Sequence, residues 1–184
     1  MIRFITGAGL AAVLALGLSA ATAPAVEKAM SGWPERAKIA ARATLEKYGP
    51  PDEIGPDALV WWDNGPWKRT VVYRRAWPHY EGAEDKDYLE NTVGYRVPGE
   101  KLDELSRFDG KLDADARYEE MTSRSESEAM NFLVLNLAYE IVAGRRGLPD
   151  ARRFAARTAR LSAAGKSSPY LERLLFVSRH RPRR

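Results

Sequence analysis

The sequence predicts an α+β domain, an antiparallel sheet of about four strands packed by helices from both ends of the chain. Three observations carry this. An amphipathic stretch, PERAKIAARATLEKYG, stops at a Gly-Pro-Pro break; segments with period-two alternation then run through residues 58–119; and the chain closes on helical patterns after Ser125. The 184 residues are 45% apolar and 29% charged, the balance of a single soluble domain.

Residues 1–25 stand apart. MIR supplies a positive charge, FITGAGLAAVLALGL a short apolar run, and Ala23-Pro24-Ala25 a small-residue cleavage site before Val26. That is the grammar of a secretory signal peptide, and a retained membrane anchor is the alternative. The expected organisation is a signal over 1–25, one α+β domain over 26–178 and a basic tail over 179–184.

In the first helix Pro34 takes the first position and Gly49 the end. Ala37, Ala41, Leu45 and Tyr48 form its apolar face with Ala40 and Thr44, while Lys38, Arg42 and Glu46 point away. ALVWWD and WKRTVVYRRAW flank Asn64-Gly65 and predict a hairpin. Neighbours on a strand face opposite ways, so Trp61 and Trp62 divide between the two sides. A two- or four-residue loop sets Trp62 opposite Trp67, and a three-residue loop brings Trp61 over Trp67's face. In every register Trp67 belongs to the core.

The acidic loop PHYEGAEDKD leads to YLENTVGYRV, where Leu89, Val93, Tyr95 and Val97 alternate. A short helix over 100–107 buries Leu102, Leu105 and Phe108. KLDADARYEEMT reads as one strand with a wet face of Asp113, Asp115, Arg117 and Glu119. Ser125-x-x-Glu128 is a capping box before AMNFLVLNLAYEIVAG, a helix apolar nearly all round and therefore central. LPDARRFAARTARL is a cleaner amphipath, and SPYLERLLFVS a last helix capped by Ser168.

Three stretches taken together, EKYGPPDEI, NGPWKRTVVYR and EAMNFLVLNLAYEIV, resemble an uncharacterised family of small exported bacterial proteins over most of the chain after residue 25. The resemblance implies export and assigns no activity. The order LEKYGPPDEI…LVWW, within residues 34–77, is similar to small lipoproteins of outer-membrane barrel assembly, which implies a compact helix-and-sheet fold. The acylated cysteine of those proteins is missing, because the chain has no cysteine.

That absence also excludes disulfides and a thiol nucleophile. The two histidines are His79, in the acidic loop, and His180, in the tail, and no Gly-x-Ser-x-Gly elbow accompanies any serine. His79 with Glu81, Glu84, Asp85 and Asp87 is a weak metal pattern, and neither a metal nor a cofactor is expected. The row Asp113, Asp115 and Glu119 offers paired carboxylates, and Asn136 and Glu140 lie one helical turn apart. Convergence of Glu140 with that row would indicate a hydrolase working in a cleft between sheet and helices.

The formal charge of +4 hides an asymmetry. From Arg145 onward there are twelve Lys or Arg residues and two acids, Asp150 and Glu172, whereas residues 26–144 are net acidic. Arg153, Arg157 and Arg160 fall at i, i+4 and i+7, one stripe of a helix. An exported protein meets anionic lipids and polymers rather than nucleic acid. The expected function is thus binding or scaffolding in the cell envelope. Arg153, Arg157 and Arg160 are its candidate anion-facing residues, and Trp61 with Lys68 a candidate ring-and-cation platform. A protein partner is the other expected occupant.

Overall fold

The computed structural model describes residues 19–76 and 87–178. Helix α1 (Ser19–Met30) and helix α2 (Glu35–Tyr48) precede strands β1 (Glu53–Ile54), β2 (Ala58–Asn64), β3 (Trp67–Tyr73) and β4 (Leu89–Gly94). A 3₁₀ turn (Gly99–Lys101) runs into α3 (Leu102–Phe108), followed by β5 (Leu112–Asp115), β6 (Glu120–Ser125), α4 (Glu128–Val142), α5 (Leu148–Ala163) and α6 (Pro169–Glu172). Among the described residues the strands form one antiparallel sheet of six, ordered β1-β2-β3-β4-β6-β5. The α+β class therefore holds, with six strands where about four were expected.

Both extra strands have local causes. β1 is a two-residue pairing of Glu53 and Ile54 with Val60 and Leu59. The expected single strand over 111–122 is the hairpin β5–β6, because Asp115 Oδ1 accepts the backbone N–H groups of Arg117 at 2.7 Å and Tyr118 at 3.1 Å and so bends the chain. Glu119 completes that turn at φ 52°.

Register sorts the sheet into two faces, since directly opposed residues point the same way. Thr70, Asn91, Ser123 and Leu112 form one inner row, flanked by Val72, Leu89 and Ser125 on one side and by Val93, Met121 and Ala114 on the other. Helices α1 and α2 cover one half of this face, packing Val26, Met30, Ala37 and Ala41 with Leu59, Trp61 and Val72. Helix α4 covers the other half, packing Phe132, Leu133 and Leu137 with Trp67, Val93 and Met121.

The hairpin loop is Gly65-Pro66, with Asn64 opposite Trp67, Trp62 opposite Arg69 and Val60 opposite Val71. This register differs from the expected ones because Asp63 adopts φ 53° and breaks the alternation. Trp61 and Trp67 can thus both be buried, while Trp62 is 38% exposed. Gly65 holds φ +59° against the Tyr48 ring, where a Cβ would lie 2.8 Å from Cε1.

Helix α2 begins and ends where Pro34 and Gly49 place it. Helix α4 is capped by Ser127 rather than Ser125, because Ser125 is already paired with Leu89 in the sheet. Helix α6 stops at Glu172 instead of running to residue 178.

Candidate functional site

The two candidate platform residues are separated. Trp61 faces inward, 1% exposed, with Nε1 donating to the Gly49 carbonyl at 2.9 Å. Lys68 pairs with Glu120, which lies in the outer row with Gly94 and Asp115. The outward ring is Trp62; its Nε1 donates to Glu53 at 2.7 Å, and the Arg69 guanidinium lies 5.7 Å from its centroid.

Arg69 belongs to a polar cluster that sequence reasoning missed. Glu90 is 1% exposed, although it sits on the outer face. It accepts from Arg124 Nε at 2.7 Å, Arg69 Nη2 at 3.0 Å and Tyr73 Oη at 3.1 Å. Burial first, then the Glu90 charge and hydrogen bond, push the Tyr73 phenol up to about 12, although the two guanidiniums oppose that shift. Glu90, Thr92 and Gly94 alternate onto the outer face of the sheet yet are all buried, a burial that the alternation of LENTVG does not specify.

The carboxylates do not converge. Asp113 lies opposite Thr122 on the outer face, and Asp115 is spent on its turn. Glu140 projects from α4, on the other side, where it accepts from Arg146 Nε at 2.6 Å and Tyr170 Oη at 2.5 Å. Burial and this bond raise the Tyr170 pKa, and the Glu140 contact raises that of Arg146. Asn136 accepts from the Leu175 N–H at 2.7 Å and donates to the carbonyls of Arg173 and Tyr170. Asn136 and Glu140 of α4 therefore tie down the C-terminal segment.

Six of the arginines after residue 144 divide into two groups. Arg145 lies 5.2 Å from the Tyr139 ring, Arg146 bridges Glu140 and Asp150, and Arg152 donates to the carbonyls of Arg107 and Phe108. The stripe is different. Arg153, Arg157 and Arg160 are all exposed on α5, and only Arg153 has an acidic partner among the described residues, Asp150 at 3.4 Å. Ala151 and Thr158 on the opposite side are buried, so the amphipathic pattern orients the stripe outward.

At the start of α4, the Glu128 carboxylate gathers three donors. Trp67 Nε1 donates at 2.6 Å, Tyr48 Oη donates to the same oxygen, and Lys47 Nζ lies 2.5 Å from the other. Burial, reinforced by Glu128, raises the Tyr48 pKa well above the ordinary phenol value. These bonds join α2, β3 and α4 at one end of a groove over the inner face of the sheet.

Among the described residues no group of three His, Cys, Asp or Glu side chains is placed to hold a metal ion, and no helix is long and apolar enough to cross a membrane. His79 and its neighbours over 77–86, residues 1–18 and the tail over 179–184 lie outside the described residues. Comparison with protein-family models, curated proteins and solved structures finds no match.

Proposed function

We propose that this chain is an exported binding module of the cell envelope, docking through α5 onto an anionic component such as a phosphate-bearing lipid surface. One observation carries the reading. Arg145, Arg146 and Arg152 are engaged within the fold, whereas Arg153, Arg157 and Arg160 remain exposed along one stripe whose single acidic partner among the described residues is Asp150, 3.4 Å from Arg153. Cations held in that way keep their charge for a partner. The separation of Glu140 from Asp113 and Asp115 favours this reading over a carboxylate hydrolase, because the two groups do not share a cleft.

Each cation near an anionic surface contributes about 1 kcal/mol, within a Debye length of about 8–10 Å. Three give weak, salt-sensitive docking without insertion. Co-sedimentation with vesicles containing phosphatidylglycerol is expected at low salt, with none on pure phosphatidylcholine and loss of binding in high salt. Reversal of Arg153, Arg157 and Arg160 to Glu should abolish binding while the thermal unfolding midpoint changes little. Equal binding of the wild type to both vesicle types, or none to either, overturns the proposal.

A further inference from the structure

A cleft of about 510 Å³ opens where the turn between α1 and α2 faces the corner between β1 and β2. Ala29, Trp33, Ile54 and Pro56 supply its apolar wall, and Lys28 and Arg74 bring two cations to it. Small-molecule sites ordinarily enclose about 300–1,000 Å³, so a ligand of several carbons fits. Ala25 is the one described lining residue ahead of the proposed cleavage point, and a chain from Val26 retains the others.

The charges around the cleft are unbalanced. Among the described residues no Asp or Glu lines it. Lys28 is exposed and has no acidic partner among them, and Arg74 has only Asp57, 3.7 Å away with a side chain 71% exposed. Glu27 and Glu53, next in sequence to Lys28 and Ile54, are turned to other groups. Glu27 faces Arg42, and Glu53 accepts from Trp62 Nε1. Two cations and one acid leave a single positive charge, the complement of a monoanion.

The wall adds an unused donor. Trp33 is 4% exposed and belongs to the core with Met30, Ala37 and Leu59, yet its Nε1 is buried without a hydrogen-bond partner. An indole nitrogen only donates, and buried donors are ordinarily paired. The cleft is the side from which an acceptor can be supplied to this residue. We infer that the cleft binds a small aliphatic monocarboxylate. Its carboxylate is held between Lys28 and Arg74 and accepts the Trp33 N–H, while the alkyl chain lies against Ile54 and Pro56. The site uses no residue of α5 and stands whether or not that helix docks on an anionic surface.

The test is amide and indole NMR of the full chain titrated with sodium hexanoate, hexanamide and hexylammonium chloride. Hexanoate is expected to give saturable shifts at Ser31, Gly32 and Gly55 and to move the Trp33 indole proton downfield, as a new hydrogen bond does. Hexanamide should bind at least about tenfold more weakly, and hexylammonium not at all. Lys28→Gln and Arg74→Gln should each weaken hexanoate by about fivefold. Gly32→Leu fills the cleft from an exposed position, where a Cβ would lie 3.8 Å from Arg74 Nη2, an ordinary contact. It should remove binding with the thermal unfolding midpoint little changed. Reversal of Arg153, Arg157 and Arg160 to Glu should leave hexanoate binding intact, which separates this site from the stripe. Absence of saturable shifts with hexanoate, an unmoved Trp33 indole proton, equal binding of hexanamide, or shifts that survive Gly32→Leu would each overturn the inference.

Discussion

Tyr73 illustrates how much the outer face depends on one carboxylate. Its phenol donates to Glu90, which two guanidiniums also hold, so ionising the tyrosine would set two anions side by side in a buried cluster. The folded chain therefore keeps this proton until about pH 12, whereas an unfolded tyrosine loses it near pH 10. The sign follows from proton counting. Between those values the folded state binds more protons than the unfolded one, so the stabilisation is complete below pH 10 and is lost as pH rises toward 12. Tyr48 and Tyr170, also raised by burial and by a carboxylate, act in the same direction. Denaturation curves should show stability falling across this window, and Tyr73→Phe should make the fall shallower. Phenolate absorbance of the folded protein should likewise show a late-titrating group that the substitution removes; ionisation of every tyrosine near pH 10 would refute the assignment. Nothing in the alternation of LENTVG disclosed Glu90 as the centre of a cluster, because its partners come from β3 and β6, far away in sequence. The burial of Trp67, in contrast, was expected in each register weighed, and the ring is buried although the observed register is none of them.

Elements were readable where backbone geometry and side-chain pattern agree. Helix α2 has a proline to open it, a glycine at φ 78° to close it and one apolar face, and its limits are those expected. Agreement failed where a side chain replaced a backbone partner. The β5–β6 turn contains no Gly, Pro or Asn, so the alternation runs across it unbroken, and only the Asx bonds of Asp115 bend the chain. Helix α6 ends early for a related reason: Asn136 binds the carbonyls of Tyr170 and Arg173 and the N–H of Leu175, groups that a continuing helix would use for itself. Asn136→Ala should therefore release the segment from Arg173 to Ser178 and lower global stability by about 1–3 kcal/mol, the usual cost of leaving buried polar groups unpaired. Amide hydrogen exchange at Leu175 is the direct measurement. Unchanged protection there would show that packing of Leu174 and Phe176, not the asparagine, holds the segment. The candidate site was legible to the same degree: the stripe of Arg153, Arg157 and Arg160 follows from helical spacing alone, whereas the groove over the inner face depends on how α2 and α4 are spaced over the sheet, which no local pattern specifies.

Across the whole molecule, the N-terminal boundary is where proposed export and folding meet. The bond between Ala25 and Val26, the proposed cleavage point, lies inside α1, and Val26, Met30 and Trp33 just beyond it are 2%, 1% and 4% exposed. These side chains pack with Ala37, Ala41 and Leu59, so the domain needs the chain from Val26 onward. A peptide bond in a docked helix is a poor protease substrate, so the proposed cleavage would have to precede docking of α1. Burial of side chains of this size contributes roughly 1.5–3 kcal/mol each, or about 5–9 kcal/mol for the three. That is comparable to the total stability of an ordinary domain, about 5–15 kcal/mol. A chain beginning at Val26 should consequently unfold cooperatively with a midpoint close to that of the full chain, and one beginning at Pro34 should be unfolded or marginal under the same conditions. Intact mass of the exported fraction should match the chain from Val26. Full-length protein confined to the cytosol would refute export, and a chain from Pro34 as stable as the one from Val26 would refute the role given to α1. The two results are independent, because the proposed export rests on the apolar run of residues 1–25 whereas the proposed stability contribution rests on Val26, Met30 and Trp33 in the core.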